Sequence, residues 1–218
     1  MKTIGLFGGS FDPVHLGHLR AAIEVHETLA LDELRFLPSH ASRNKPEPAA
    51  PGALRKHWLE LAIAGLQGFS VDDRELRRGG FSYTSVTLTE IREEEPGATL
   101  YWVLGSDAFA GIGLWHDAAA LGRLAHWVVV TRPGCPLPTE LPAPPWPAPR
   151  LSTDPGALVP GEAGGLLALP VTPIGISASQ IRAQIASGLR IDYLVPEAIR
   201  HELQNGSYYG ANTKTPRD

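Results

Sequence analysis

The segment Gly8-Gly9-Ser10-Phe11-Asp12-Pro13-Val14-His15-Leu16-Gly17-His18 gathers residue types that suit anion chemistry. Glycines let backbone N–H groups approach a charged oxygen, and a helix start adds partial positive charge. His15 and His18, three residues apart where a helical pattern begins, project to one face and can converge on one site. Gly17 between them leaves room for a flat or bulky ligand against the backbone. Paired imidazoles beside an anion cradle can donate hydrogen bonds to phosphoryl oxygens as charge develops. The segment is no Walker loop, since no Gly-Lys-Ser/Thr follows, and its glycines are spaced wrongly for Gly-x-Gly-x-x-Gly. A zinc site would have only these two histidines, with no Cys or Glu-x-x-His partner, so no metal ligand is assigned. The bland alternative is one half-buried histidine and one on the surface.

A second phosphate-suited element lies far along the chain, in Ile176-Ser177-Ala178-Ser179-Gln180-Ile181-Arg182. Serines at a helix start offer hydroxyl and backbone donors, and Arg182 in the first turns can reach the same anion. Between the two, Arg43, Lys45, Arg55 and Lys56 face a single acid, Glu47, and read as a local basic patch.

These residues need a frame. The apolar run over residues 3–7 ends in Gly-Gly and predicts a buried strand followed by a tight turn. From Leu16, apolar residues recur at helical spacing. Further strands are expected at Glu33–Pro38, Phe69–Asp72, Thr99–Leu104, His126–Thr131 and Leu166–Val171. Further helices are expected over 54–66, from a Ser82 cap through Ile91, at Ser177–Ala186 and at Pro196–Leu203. The consecutive valines of the fifth strand suit a position covered on both faces. Alternating strands and helices give an α/β fold, a doubly wound and mostly parallel sheet, and in such a sheet ligands bind at the carboxyl ends of the strands. One domain over 1–210 is expected, with a polar tail at 211–218. Between Pro133 and Pro149 eight of 17 residues are proline, and the stretch to about 163 reads as an exposed insertion.

The first motif resembles the His-x-Gly-His signature of the nucleotidylyltransferase superfamily, and the second is similar to the Ile-Ser-x-Ser/Thr-x-Ile-Arg element with which those enzymes hold ATP phosphates. Arg55-Lys56-His57-Trp58-Leu59-Glu60-Leu61-Ala62, Asp73-Arg74-Glu75-Leu76, Ser82-Tyr83-Thr84 and Gly105-Ser106-Asp107 resemble internal blocks of one branch, the nicotinate-nucleotide adenylyltransferases. The resemblance implies a Rossmann-like nucleotidylyltransferase fold and transfer of AMP from ATP to nicotinate mononucleotide, giving deamido-NAD and pyrophosphate. It implies catalytic roles for His15, His18 and Arg182. Gly8, Gly9, Ser10, Gly17, Lys45, Ser177 and Ser179 would bind ATP and the reacting phosphates, with Mg²⁺ held mainly by phosphate oxygens. Tyr83, Thr84, Asp107, Trp115 and His116 would bind the pyridine nucleotide, with backbone N–H groups at Thr84 and His116 on the carboxylate and Trp115 stacked on the ring. Two departures stand out: His116 where the branch often has Tyr, and Ser42-Arg43-Asn44-Lys45 where it commonly has Pro-Pro-His-Lys or Pro-Pro-His-Arg.

Composition excludes several classes. Nineteen Lys plus Arg against 23 Asp plus Glu give a formal charge of −4, unlike a protein built to grip nucleic acid. The single cysteine, Cys135, rules out an intrachain disulfide and fits a reducing compartment. No run approaches a membrane span or a signal-peptide core, so a cytoplasmic protein is expected. A homo-oligomer is compatible with the sequence. Competing readings are adenylylation of nicotinamide mononucleotide or another phosphate monoester, and a noncatalytic nucleotide-binding regulator of the same fold.

Overall fold

The computed structural model describes residues 1–43, 46–131 and 151–210. Strand β1 (Thr3–Gly9) leads into α1 (Leu16–Thr28), β2 (Glu33–Pro38), α2 (Gly52–Ala62), β3 (Phe69–Val71), α3 (Arg74–Arg78) and α4 (Thr84–Glu94). There follow β4 (Thr99–Gly105), α5 (Ser106–Phe109), β5 (His126–Val130), β6 (Leu166–Leu169), α6 (Ala178–Ala186) and α7 (Glu197–Asn205). Every strand pairing is parallel, in the order β3-β2-β1-β4-β5-β6.

Apolar residues on both sides of each central strand explain this arrangement. Phe7, Tyr101, Val103, Val128 and Leu167 face one core, filled by α1, α2, α6 and α7 through residues such as Val25, Trp58, Ile181 and Ile199. Ile4, Leu6, Trp102, Trp127 and Val129 face a second, closed by Leu88 and Ile91 of α4 and Phe109 of α5. The chain builds outward from β1 to β3, then returns to place β4 beside β1 and builds the other way. The connection after β1 therefore leaves toward α1 on one face, and that after β4 toward α5 on the other. A crevice opens where they part, at the carboxyl ends of β1 and β4.

Several expectations are corrected. β1 does not stop at Phe7: Gly8 and Gly9 continue the strand and pair with Leu37 and Pro38, and the turn comes after them. Ser82 does not cap α4, whose N-cap is Tyr83; the Ser82 hydroxyl instead accepts the His40 N–H at 2.9 Å. Helix α2 ends at Ala62, short of the half-exposed Leu66. Residues 132–150 hold most of the expected proline-rich insertion and lie outside the described residues, as does the tail at 211–218. Residues 151–163 are mostly exposed, yet they are tied to the sheet and core at a few points. Leu158 is buried in the first core, Ser152 bridges to Leu167, and the Gly161 N–H donates to Thr99 Oγ1 at 2.8 Å. Among the described residues no helix is long and apolar enough to cross a membrane.

His126 ties this segment to the sheet. Its Nε2 donates to the Val159 carbonyl at 2.9 Å and its Nδ1 accepts the Gly165 N–H at 3.1 Å, so the ring is neutral with its proton on Nε2. Burial holds its pKa below the ordinary value of 6.5. A histidine depressed by folding contributes stability above its unfolded pKa and loses it as pH falls toward the folded value. The thermal midpoint should therefore drop between pH 7.5 and 5, and His126→Gln should flatten that dependence; an unchanged pH slope in the variant would refute the assignment.

Candidate active site

The crevice at the β1/β4 switch is a cleft of about 690 Å³. It is lined by Gly8, Gly9, Ser10, His15 and His18 from the β1 end, by Ser177, Ser179 and Arg182 from α6, and by Tyr83, Thr84, Asp107, Trp115 and His116 opposite. Two of the residues expected in the site are not in this lining. Lys45 lies outside the described residues, and Gly17 sits behind the histidines.

The histidine pair is built by local packing. His15 is the N-cap of α1 and His18 occupies its first turn; their rings stack with centroids 3.7 Å apart, 25° from parallel. The His15 N–H donates to His18 Nδ1 at 3.3 Å, which leaves Nε2 as the proton-bearing nitrogen of a neutral His18. Phe11 and Phe7 meet the His18 ring edge-on at 5.1 and 6.2 Å and fix its plane. Gly17 does not make room for a ligand. A Cβ there would stand 3.1 Å from His15 Nδ1, so its missing side chain makes room for the His15 imidazole. Gly8 and Gly9 likewise admit aromatic rings, since added Cβ atoms would lie 2.6 Å from Trp102 and 2.9 Å from Phe11.

Asp12 joins the pieces. Its buried carboxylate accepts the N–H groups of Ala49 (2.8 Å) and Ala50 (3.1 Å) and the Tyr209 hydroxyl (2.8 Å). Arg182 Nη1 donates to the Asp12 backbone carbonyl at 2.7 Å, which brings α6 against the histidine loop. Ser177 caps α6 by accepting the Gln180 N–H, and its hydroxyl lies 3.1 Å from that of Ser179. The expected basic patch is not assembled. Arg55 is buried, donating to the carbonyls of Ser10 (2.6 Å) and Ala50 (3.0 Å), and Lys56 pairs with Asp73 at 2.8 Å. Arg43 is exposed at the cleft rim. The sequence separates charge signs but not the buried cation that braces a loop from the exposed one that meets a ligand.

At the opposite end Thr84 opens α4, so its N–H belongs to the first turn, where no helical carbonyl is available to it. His116 stacks on Tyr83 at 4.3 Å, and its Nδ1 lies 3.2 Å from Ser85 Oγ. Trp115 lines the cleft and leans edge-on against Trp127, with ring centroids 6.2 Å apart. Beneath them Glu75 is buried, accepts the Thr87 hydroxyl at 2.7 Å, and is pushed up in pKa by its burial.

The cytidylyltransferase-like family matches residues 6–184. A probable nicotinate-nucleotide adenylyltransferase from Halorhodospira halophila is 41% identical over 216 residues, covering 96% of both chains. One from Methylococcus capsulatus is 41% identical over 207 residues, covering 94% of this chain and 99% of the relative. The chain belongs to the nicotinate-nucleotide adenylyltransferase family. The solved structure of Plasmodium falciparum nicotinic acid mononucleotide adenylyltransferase complexed with NaAD aligns with a TM-score of 0.74 at 18% identity, covering 95% of this chain and 98% of that one, a likeness that bears on the fold. Nicotinate-nucleotide adenylyltransferases are nucleotidyltransferase enzymes, and the cleft is where this member of the family brings its two signature motifs together.

Sequence reasoning missed three contributors in this family member: Asp12 as a hub, Glu75 and Tyr209. Asp12 carried a signal, an acid set inside an anion-suited loop. Tyr209 carried none, because it meets Asp12 from 197 positions away. Gly17→Ala should push the His15 ring by a few tenths of an ångström and lower turnover, by less than the roughly 10²-fold that a displacement of about 1 Å in reacting groups brings, while leaving the thermal midpoint near wild type. Full turnover in the variant would show that the stacked geometry is dispensable.

Proposed function

We propose that the chain transfers the adenylyl group of ATP to the phosphate of nicotinate mononucleotide, forming deamido-NAD and releasing pyrophosphate. The observation that carries this reading is the meeting of two phosphate-suited elements, the stacked His15/His18 pair and the Arg182 helix start, at one crevice. An acceptor phosphate oxygen attacks the α-phosphorus in line; the new P–O bond forms as the bond to the β-phosphate oxygen breaks, and pyrophosphate carries away the charge. No protein nucleophile is needed, so the work is positioning and charge stabilisation.

In this reading His18 donates through Nε2 to a phosphate oxygen, with His15 stacked against it, and both bind the α- and β-phosphates. Ser10 and the Gly8-Gly9 backbone cradle the reacting phosphates, while Arg182, Ser177, Ser179 and Lys45 hold the triphosphate. Thr84 and His116 offer N–H groups to the nicotinate carboxylate, Trp115 and Tyr83 flank the ring, and Asp107 takes ribose hydroxyls. Mg²⁺ fits as a cation carried on phosphate oxygens, because the Asp12 carboxylate already accepts three donors. When bound it would offset phosphate charge. The single cysteine suits a cytoplasmic setting.

Pyrophosphate release should require ATP, Mg²⁺ and nicotinate mononucleotide together, and nicotinamide mononucleotide should be the poorer acceptor. Preference for the amide would overturn the substrate assignment; no release with either would favour a regulator. His18→Ala should lower kcat by about 10²–10³-fold, the loss typical of one preorganised donor, with an intact fold by circular dichroism.

A further inference from the structure

Tyr209 stands outside both signature motifs, yet it is buried and its hydroxyl ends on the carboxylate that braces them. The seat is built for it. Its ring packs near the fully buried Trp58, centroids 6.1 Å apart, and Trp58 is held by a 3.0 Å hydrogen bond from Nε1 to Glu202 of α7. The two Asp12 oxygens have different neighbours. Oδ1 accepts Tyr209 and Ala50; Oδ2 accepts Ala49 and lies 3.7 Å from Arg182 Nη1, beyond hydrogen-bond reach. Arg182 Nη1 is committed instead to the Asp12 carbonyl at 2.7 Å. Burial and the Asp12 charge push the Tyr209 phenol well up, so it stays a donor.

We propose that Tyr209 is a positioning residue for ATP: by taking up charge on Asp12 Oδ1, it keeps that carboxylate from drawing Arg182 into a closed ion pair and leaves the guanidinium available to phosphate. Without the hydroxyl, Oδ1 keeps only the longer bond from Ala50. The unshared charge then attracts the nearest cation, and closing the 3.7 Å gap at Oδ2 places Asp12 in competition with the triphosphate for Arg182. The role attributed to Arg182 rests on the adenylyl-transfer reading.

The test is the dissociation constant for ATP with Mg²⁺, measured by calorimetric titration without acceptor on the full chain, so that it reads out whichever mononucleotide is used. Tyr209→Phe should weaken ATP binding roughly tenfold, the loss expected for a hydrogen bond to a charged group, with binding of nicotinate mononucleotide unchanged. In an Arg182→Ala background the same change should have no further effect. Asp12→Asn/Tyr209→Phe removes the competing charge together with its donor; its Asn amide keeps only one of the Ala49 and Ala50 bonds, yet it should recover part of the loss and bind ATP well under tenfold weaker than wild type, a comparison that also serves if Tyr209→Phe alone does not fold. ATP affinity unchanged in folded Tyr209→Phe, equal weakening for both nucleotides, a full tenfold effect persisting without Arg182, or a double variant still tenfold weak would each overturn the proposal. Pyrophosphate release by the wild-type enzyme tests the underlying reading separately.

Discussion

A parallel sheet that grows in two directions from its middle must open at one place, and here that place is the boundary between β1 and β4. Everything functional in this chain depends on that opening. β1 ends in Gly8 and Gly9 on one lip, and β4 ends in Leu104 and Gly105 on the other. Because the following helices leave toward opposite faces, the backbone at both strand ends stays accessible in a fold whose central strands are otherwise covered on both sides.

The opening is held by aromatic packing and one buried carboxylate. Trp102 and Phe11 lie where the side chains of Gly8 and Gly9 would be, and Phe11 with Phe7 fixes the plane of His18. The glycines of the motif thus act first on packing: they let rings approach the backbone closely, and those rings set the imidazoles. Asp12 then ties the histidine loop to the start of α2, to α6 and to the chain beyond α7. Donors from two distant segments, before α2 and beyond α7, share the carboxylate's charge, while Arg182 of α6 holds the Asp12 backbone carbonyl, and each helps to hold the others in register.

Much of this was legible in the sequence. Strong apolar runs and helical spacing place β1, β2, β4, β5, α1 and α6 within a few residues, since these elements bury their hydrophobic faces in the expected period. The two motifs are short and local, and both reach the cleft. What sequence spacing cannot carry is long-range pairing and burial. Arg55 looks like a surface cation and is a buried brace; Gly17 looks like ligand space and is ring space; Ser82 looks like a cap and is a tie between the loop after β2 and the start of α4. Short α3 and α5 have too few residues to show a period, and the segment near Leu158 looks loose by composition while docking into the core through a few contacts.

The central claim is that the histidine pair and the α6 start act on one bound triphosphate across the β1/β4 opening. A crystal structure with a nonhydrolysable ATP analogue and nicotinate mononucleotide tests it most directly. The account predicts α- and β-phosphate oxygens within hydrogen-bond distance of His18 Nε2, the triphosphate against Arg182, and the nicotinate carboxylate at the Thr84 and His116 N–H groups. A triphosphate seated away from His15 and His18, or contacting only one of the two motifs, would contradict it.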